Sequence, residues 1–181
     1  MSEFTRTPST SMPEPENSNR RTTSRSDSFS NQVLGISGYV GALRRGPRAM
    51  LRRVDSDVDH IPPRVFWDLV ERYDIQERDE PFWLAIVPLV VQHPHRADLS
   101  PGRALAAAGV SAARIERWLR LDATGARREA SRLLSHLKGE GLNWIKFAFL
   151  LRDWNDEQRR GFARDFFLSP EYRKRQAGAD A

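Results

Sequence analysis

The sequence predicts an all-α protein, a compact bundle of roughly eight to nine helices behind a disordered amino-terminal tail. Three observations lead there. Apolar residues recur at three- and four-residue spacing from Gln32 onward, the period of one buried helix face. Proline, serine and Asx residues stand where those stretches begin and glycine where they end. No segment shows sustained apolar–polar alternation bounded by hairpin turns.

The elements follow in order. Residues 1–31 are rich in Ser, Thr, Pro, Asn and Arg, with almost no large aliphatics. Such a stretch lacks the apolar surface to offset its ordering entropy, so it reads as a disordered tail. Its charges cancel, Arg6, Arg20, Arg21 and Arg25 against Glu3, Glu14, Glu16 and Asp27. It also lacks the apolar run of a signal peptide. The helical domain spans 32–175 and a flexible end 176–181.

Val33, Ile36, Val40 and Leu43 begin the domain at helix spacing, weakened by Gly35, Gly38 and Gly41. Pro47 sits in the first turn of a short helix ending near Val54. Pro63 opens a third, with Phe66, Leu69, Val70 and Tyr73 on one face. Pro81 opens the most apolar one, 81–91, too short to cross a bilayer and therefore a buried helix. Ser100 and Pro101 form an N-cap and first-turn pair for a helix closed by Gly109. Ser111, Asp122, Asn143 and Asn155 start the remaining helices, the last burying Phe162, Phe166 and Phe167. Gly139 and Gly141 end the helix that follows Asp122.

Composition narrows the chemistry. There is no cysteine, which removes disulfides, thiol catalysis and thiolate-bound zinc. With the polar amino terminus this predicts a cytoplasmic protein with no membrane association. No glycine-rich phosphate loop and no paired-carboxylate motif is present. His93-Pro94-His95 with Asp98 invites a metal reading, but two histidines one residue apart do not share a helix face. His136 has no nucleophile beside it and reads as a packed helix residue. Asp55, Asp57 and Asp59 lack the glycine and distal glutamate of a calcium loop and read as a solvated linker. The expectation is no catalytic residue, no metal and no cofactor.

Charge carries the function. The formal net charge is +5, and among 29 basic residues only Lys138, Lys146 and Lys174 are lysine. Arginine presents a planar fork of donors that matches phosphate oxygens and stacks on bases. A high-GC genome favours arginine regardless of function, so position has to decide. Residues 55–80 hold nine acids against Arg64, Arg72 and Arg78. Arg44, Arg45, Arg48, Arg52 and Arg53 form a block with no acid among them. Further groups are Arg114, Arg117 and Arg120, then Arg127, Arg128 and Arg132, then Arg159, Arg160 and Arg164. Single stripes of this kind are ordinary solvated helix faces. The uncompensated block at 44–53 points to a polyanion.

The order of several short motifs adds a resemblance. Leu51-Arg52-Arg53-Val54 is followed by Val65-Phe66-Trp67-Asp68-Leu69-Val70 and Ser100-Pro101-Gly102-Arg103-Ala104-Leu105. Leu119-Arg120-Leu121-Asp122, Arg132-Leu133-Leu134-Ser135-His136, Leu142-Asn143-Trp144 and Ala163-Arg164-Asp165-Phe166 come next. In this order they resemble the CasB family, the small subunit of the type I-E CRISPR Cascade complex.

The resemblance implies a non-catalytic all-α subunit, present as two copies head to tail. Its partners would be the other Cascade proteins, the crRNA, and the displaced strand of the target DNA. By position it implies strand contacts at Arg52, Arg53, Arg103, Arg120 and Arg132. Ala123 departs from the basic residue the family often has after Leu-Arg-Leu-Asp, and Arg127 or Arg128 would substitute. The candidate nucleic-acid-binding set is therefore Arg44, Arg45, Arg48, Arg52, Arg53, Arg103, Arg120, Arg128, Arg132 and Arg159. Two other readings stay open: a scaffold whose arginines meet only protein acids, and a helical regulator that reads duplex DNA.

Overall fold

A computed structural model describes residues 18–54 and 61–179, with side chains over 27–54 and 61–178. Among these residues the chain forms ten α-helices and two 3-10 turns. They are α1 (Ser18–Ala42), α2 (Arg45–Arg52), α3 (Arg64–Arg72), α4 (Glu80–Gln92) and α5 (Pro101–Ala107). Then come α6 (Ala112–Leu119), α7 (Ala123–Leu134), α8 (Trp144–Asp153), α9 (Asp156–Phe167) and α10 (Pro170–Ala179). The extended backbone contact is one isolated bridge between His95 and Leu142.

Helix α4 is central. Trp83, Ile86, Val87, Leu89, Val90 and Val91 are all buried, so apolar residues surround it as expected for a helix enclosed by others. Helices α1, α2, α7 and α8 pack on it, and α8 contributes the buried Trp144, Phe147 and Leu151. A second layer joins α5 to α9, with α10 laid across both. No helix among the described residues is long and apolar enough to cross a membrane.

Four expected caps form in the residues named. Ser111 Oγ accepts from the Arg114 amide at 3.4 Å and Asp122 Oδ1 from the Gly125 amide at 2.7 Å. Asn143 Oδ1 accepts from the Lys146 amide at 3.0 Å and Asn155 Oδ1 from the Gln158 amide at 2.9 Å. Each satisfies an amide that the first helical turn leaves without a partner.

Ser100 behaves differently. Its hydroxyl donates to Asp165 Oδ1 at 2.6 Å, and Asp165 Oδ2 accepts from the Gly102 and Arg103 amides at 2.8 and 3.3 Å. The cap of α5 is thus supplied by α9. The two helices meet so closely that a Cβ on residue 102 would lie 2.6 Å from the Phe166 amide nitrogen. Gly109, at φ +80°, ends the α5 segment in the left-handed conformation that favours glycine.

Two boundaries differ from the sequence reading. Helix α1 begins at Ser18, well before the expected domain start at residue 32, and Phe29 is a core residue. Phe29 packs against Phe82, Trp83 and Phe149 with ring centroids 5.9, 5.8 and 4.8 Å away. Phe29 extends toward the amino terminus the buried face formed by Val33, Ile36 and Val40. The earlier part of the expected tail, residues 1–17, lies outside the described residues, as do the linker acids Asp55, Asp57 and Asp59.

At the other end, Pro170 opens a tenth helix that runs to Ala179, past the boundary drawn at 175. Ser169 caps it, its Oγ accepting from the Tyr172 amide at 3.1 Å. Phe162 and Phe166 are buried as expected, whereas Phe167 is only half-buried, beside Tyr172 of the added helix.

Candidate nucleic-acid interface

Helix α2 has one buried residue, Leu51, at 0% exposure. That single anchor sets the short helix on α4 and turns Arg44, Arg45, Arg48, Arg52 and Arg53 outward. Among the described residues none of the five forms an ion pair. Arg48 Nη2 donates to the Val91 carbonyl at 3.2 Å, a cation at the C-terminal end of α4, where the helix dipole favours one.

Arg45, Arg48 and Arg52 form one wall of a groove of about 750 Å³, and Ser135 and Lys138 form the other. No acidic residue lines it. His93 lies at its base, held below the ordinary histidine pKa mainly by burial and further by the nearby Arg52 charge. His93 is therefore neutral at physiological pH, and its Nδ1 donates to the Glu140 carbonyl at 3.1 Å. The backbone amide of Trp144 donates to His95 Nδ1 at 3.2 Å. The His-Pro-His segment thus clasps the end of α4 to the start of α8. Among the described residues no three His, Cys, Asp or Glu side chains converge as a metal site would require.

A second cationic cleft, of about 580 Å³, opens between α6 and α7. Arg114 and Arg117 stand on one side and Arg132 on the other, with His136 at the rim in contact with Arg114. His136 is half-buried on a 3-10 turn that extends α7. Arg132 Nη1 donates to Glu129 at 2.6 Å.

The remaining expected residues do not join either groove. Arg103 Nε donates to Glu171 at 2.9 Å and so ties α5 to α10. Arg120 is exposed, 3.8 Å from Glu116, and Arg128 is exposed on α7. Arg159 donates to the Leu119 carbonyl at 3.0 Å and to Asp156, with its guanidinium over the Trp154 ring. Its Nη1 thereby ties α9 to the end of α6, while Nη2 is held within α9. Arg127, set beside Arg128 in sequence, turns inward instead: its Nε donates to the Leu151 carbonyl at 2.9 Å, and burial lowers its pKa.

Lys138 and Ser135 were not expected in the site. They arrive by a turn in which Lys138 takes the left-handed conformation at φ 51°. The Leu-Lys-Gly-Glu-Gly sequence signals such a turn, but which groove it faces depends on tertiary packing.

Carboxylates gather elsewhere. Asp153, Glu157 and Asp165 line a cleft of about 680 Å³ bordered by α5, α8 and α9, with Lys146 as its one basic residue.

Fold and surface define the class: an all-α bundle with one arginine-walled groove free of acids along α2 and a second, mainly cationic cleft between α6 and α7. The family model for CRISPR-associated protein Cse2 matches residues 47–167, from α2 through α9. The chain belongs to that family, the CasB-type small subunit of the type I-E CRISPR Cascade complex. No curated protein matches the chain.

Proposed function

We propose that this subunit stabilises the crRNA-guided R-loop by holding the displaced non-target DNA strand along the α2 groove. The observation that carries this reading is the wall of Arg45, Arg48 and Arg52 facing Lys138, with no acid in the lining. Guanidinium groups with unpaired donors suit phosphate oxygens, and contacts to phosphate carry no base information. Opening a target duplex exchanges DNA–DNA for RNA–DNA pairing at nearly equal stability, so modest contacts to the released strand tip the balance. The subunit acts without catalysis, in the cytoplasm, alongside the other Cascade proteins, the crRNA and a second copy of itself arranged head to tail. Arg44 and Arg53, exposed at the two ends of α2, and Arg120, Arg128 and Arg132 on α6 and α7 would add further phosphate contacts.

The scaffold reading has one observation in its favour: the cleft of Asp153, Glu157 and Asp165 offers a neighbouring copy's arginines an acidic surface. Reconstituted Cascade separates the two. Permanganate reactivity of the displaced strand is measured without the subunit, with it, and with an Arg45→Ala/Arg48→Ala/Arg52→Ala variant. The strand reading expects the wild-type chain to raise the opened fraction and the variant to assemble without doing so. It also expects the salt slope of strand binding to fall by about 2 in log affinity, at about 0.7 per lost single-strand phosphate contact. A variant that assembles and opens the target normally leaves the scaffold reading.

A further inference from the structure

The α6–α7 cleft combines cations on its walls with a floor of large apolar side chains. Leu121, half-buried, lies there with the edges of Trp118 and Leu133. Its walls are fixed before any ligand arrives. The Trp118 indole donates to the Ala126 carbonyl at 3.0 Å, joining α6 to α7, and the Trp154 indole holds the Leu121 carbonyl at 2.8 Å. Of its three guanidiniums Arg132 is paired with the one carboxylate, Glu129, while Arg114 and Arg117 have no carboxylate partner among the described residues. At about 580 Å³ the cleft is in the range of small-ligand sites, about 300–1,000 Å³. A purely ionic phosphate track needs no apolar floor, and an apolar pocket needs no cations on opposite sides. Both together suit a ligand with a planar, weakly polar body and an attached anion.

We propose that this cleft is a nucleotide subsite, in which one base lies against Leu121 while its phosphate is held by Arg114, Arg117 and Arg132. The proposal rests on the strand-binding reading and refines it: one nucleotide of the strand is gripped by its base as well as its phosphate. Guanidinium planes and apolar side chains both pack on base faces with little regard to base identity, so the grip is base-dependent without being sequence-specific.

The test uses the full chain with two fluorescent oligomers carrying equal numbers of phosphates, an oligodeoxythymidine and its abasic counterpart. The expected result is binding about 3- to 10-fold tighter for the base-bearing oligomer, the scale of covering a few tens of Å² of apolar base surface. That advantage should disappear in Leu121→Ser and in the surface variant Arg117→Glu, whose exposed position keeps folding intact. It should survive in Trp67→Ala, which removes the exposed tryptophan on α3, at 41% exposure the other place for a base to stack. Equal affinity for the two oligomers overturns the subsite and leaves phosphate-only strand binding, with an acidic protein segment as the cleft's occupant. An advantage lost only in Trp67→Ala overturns it in favour of stacking on α3. Failure to bind either oligomer overturns both the subsite and strand binding by the isolated chain.

Discussion

Gly102 tests whether the Ser-Pro-Gly-Arg-Ala-Leu segment is a joint between helices or a nucleic-acid contact. In Gly102→Ala the new methyl would sit 2.6 Å from the Phe166 amide nitrogen, 2.7 Å from Asp165 Oδ2 and 3.0 Å from the Asp165 carbonyl carbon. Two of those three atoms are backbone, so relief requires α5 and α9 to separate. Overpacking of this kind costs about 1–3 kcal/mol. Moving Asp165 also weakens its bonds to Ser100, Gly102 and Arg103, and hydrogen bonds to a charged group contribute about 1.5–3 kcal/mol each. With partial relaxation the sum is about 2–4 kcal/mol. For a chain of this size each kcal/mol moves the melting temperature by about 2–4 °C, so a fall of about 5–15 °C is expected. Arg103→Ala is the comparison. Its partner pair with Glu171 is 47% exposed on the arginine side, which limits the loss to about 1 kcal/mol. Thermal and urea unfolding followed by circular dichroism measure both. A Gly102→Ala protein melting within about 2 °C of wild type would refute the close approach of α5 to α9 and return the motif to a binding role.

Two further outcomes are expected. Phe29→Ala leaves a cavity among Phe82, Trp83 and Phe149 and costs about 3–5 kcal/mol, with faster proteolysis before residue 43; unchanged stability would place Phe29 outside the core. Burial lowers the pKa of both His93 and His95 below 6.5, so between the lowered and ordinary values the unfolded chain binds more protons. Their stabilisation is complete above about pH 6.5 and is lost as pH falls through that value toward the lowered ones. The urea midpoint should therefore drop between about pH 7.5 and 5.5, less steeply in His93→Gln/His95→Gln, and a flat or rising wild-type midpoint would refute neutral burial.

Local signals were legible in the sequence, and tertiary ones were not. Ser111, Asp122, Asn143 and Asn155 cap their helices as read, because a cap is decided within three residues. The Ser169-Pro170 pair carries the same start signal as Ser100-Pro101, yet it follows an aromatic run that reads as the end of the bundle. Phe29 is one apolar residue among polar neighbours, and no periodicity marks it. For the arginines, spacing identifies the exposed face of α2 because Leu51 is its only buried residue. It does not show that Arg159 is committed to the Leu119 carbonyl or that Arg127 turns inward, since their acceptors lie 40 and 24 residues away. Lys138 joins the α2 groove from a turn distant in sequence, for the same reason.

The clasp between α1 and Tyr73 bears on how the molecule opens. Gln32 donates to the Tyr73 carbonyl at 2.9 Å, and the Tyr73 hydroxyl donates to the Gly35 carbonyl at 2.6 Å. With Gly35, Gly38 and Gly41 in its path, α1 has little intrinsic helicity and exists because it is docked. Its amides are therefore expected to exchange with solvent as one unit in a hydrogen-exchange measurement, at a free energy set by the dock rather than by the helix. Only Leu43 and Arg44 separate that unit from α2, so its release frees the arginine helix on its amino-terminal side. The groove itself keeps its shape through Leu51, which seats α2 on α4 independently of α1.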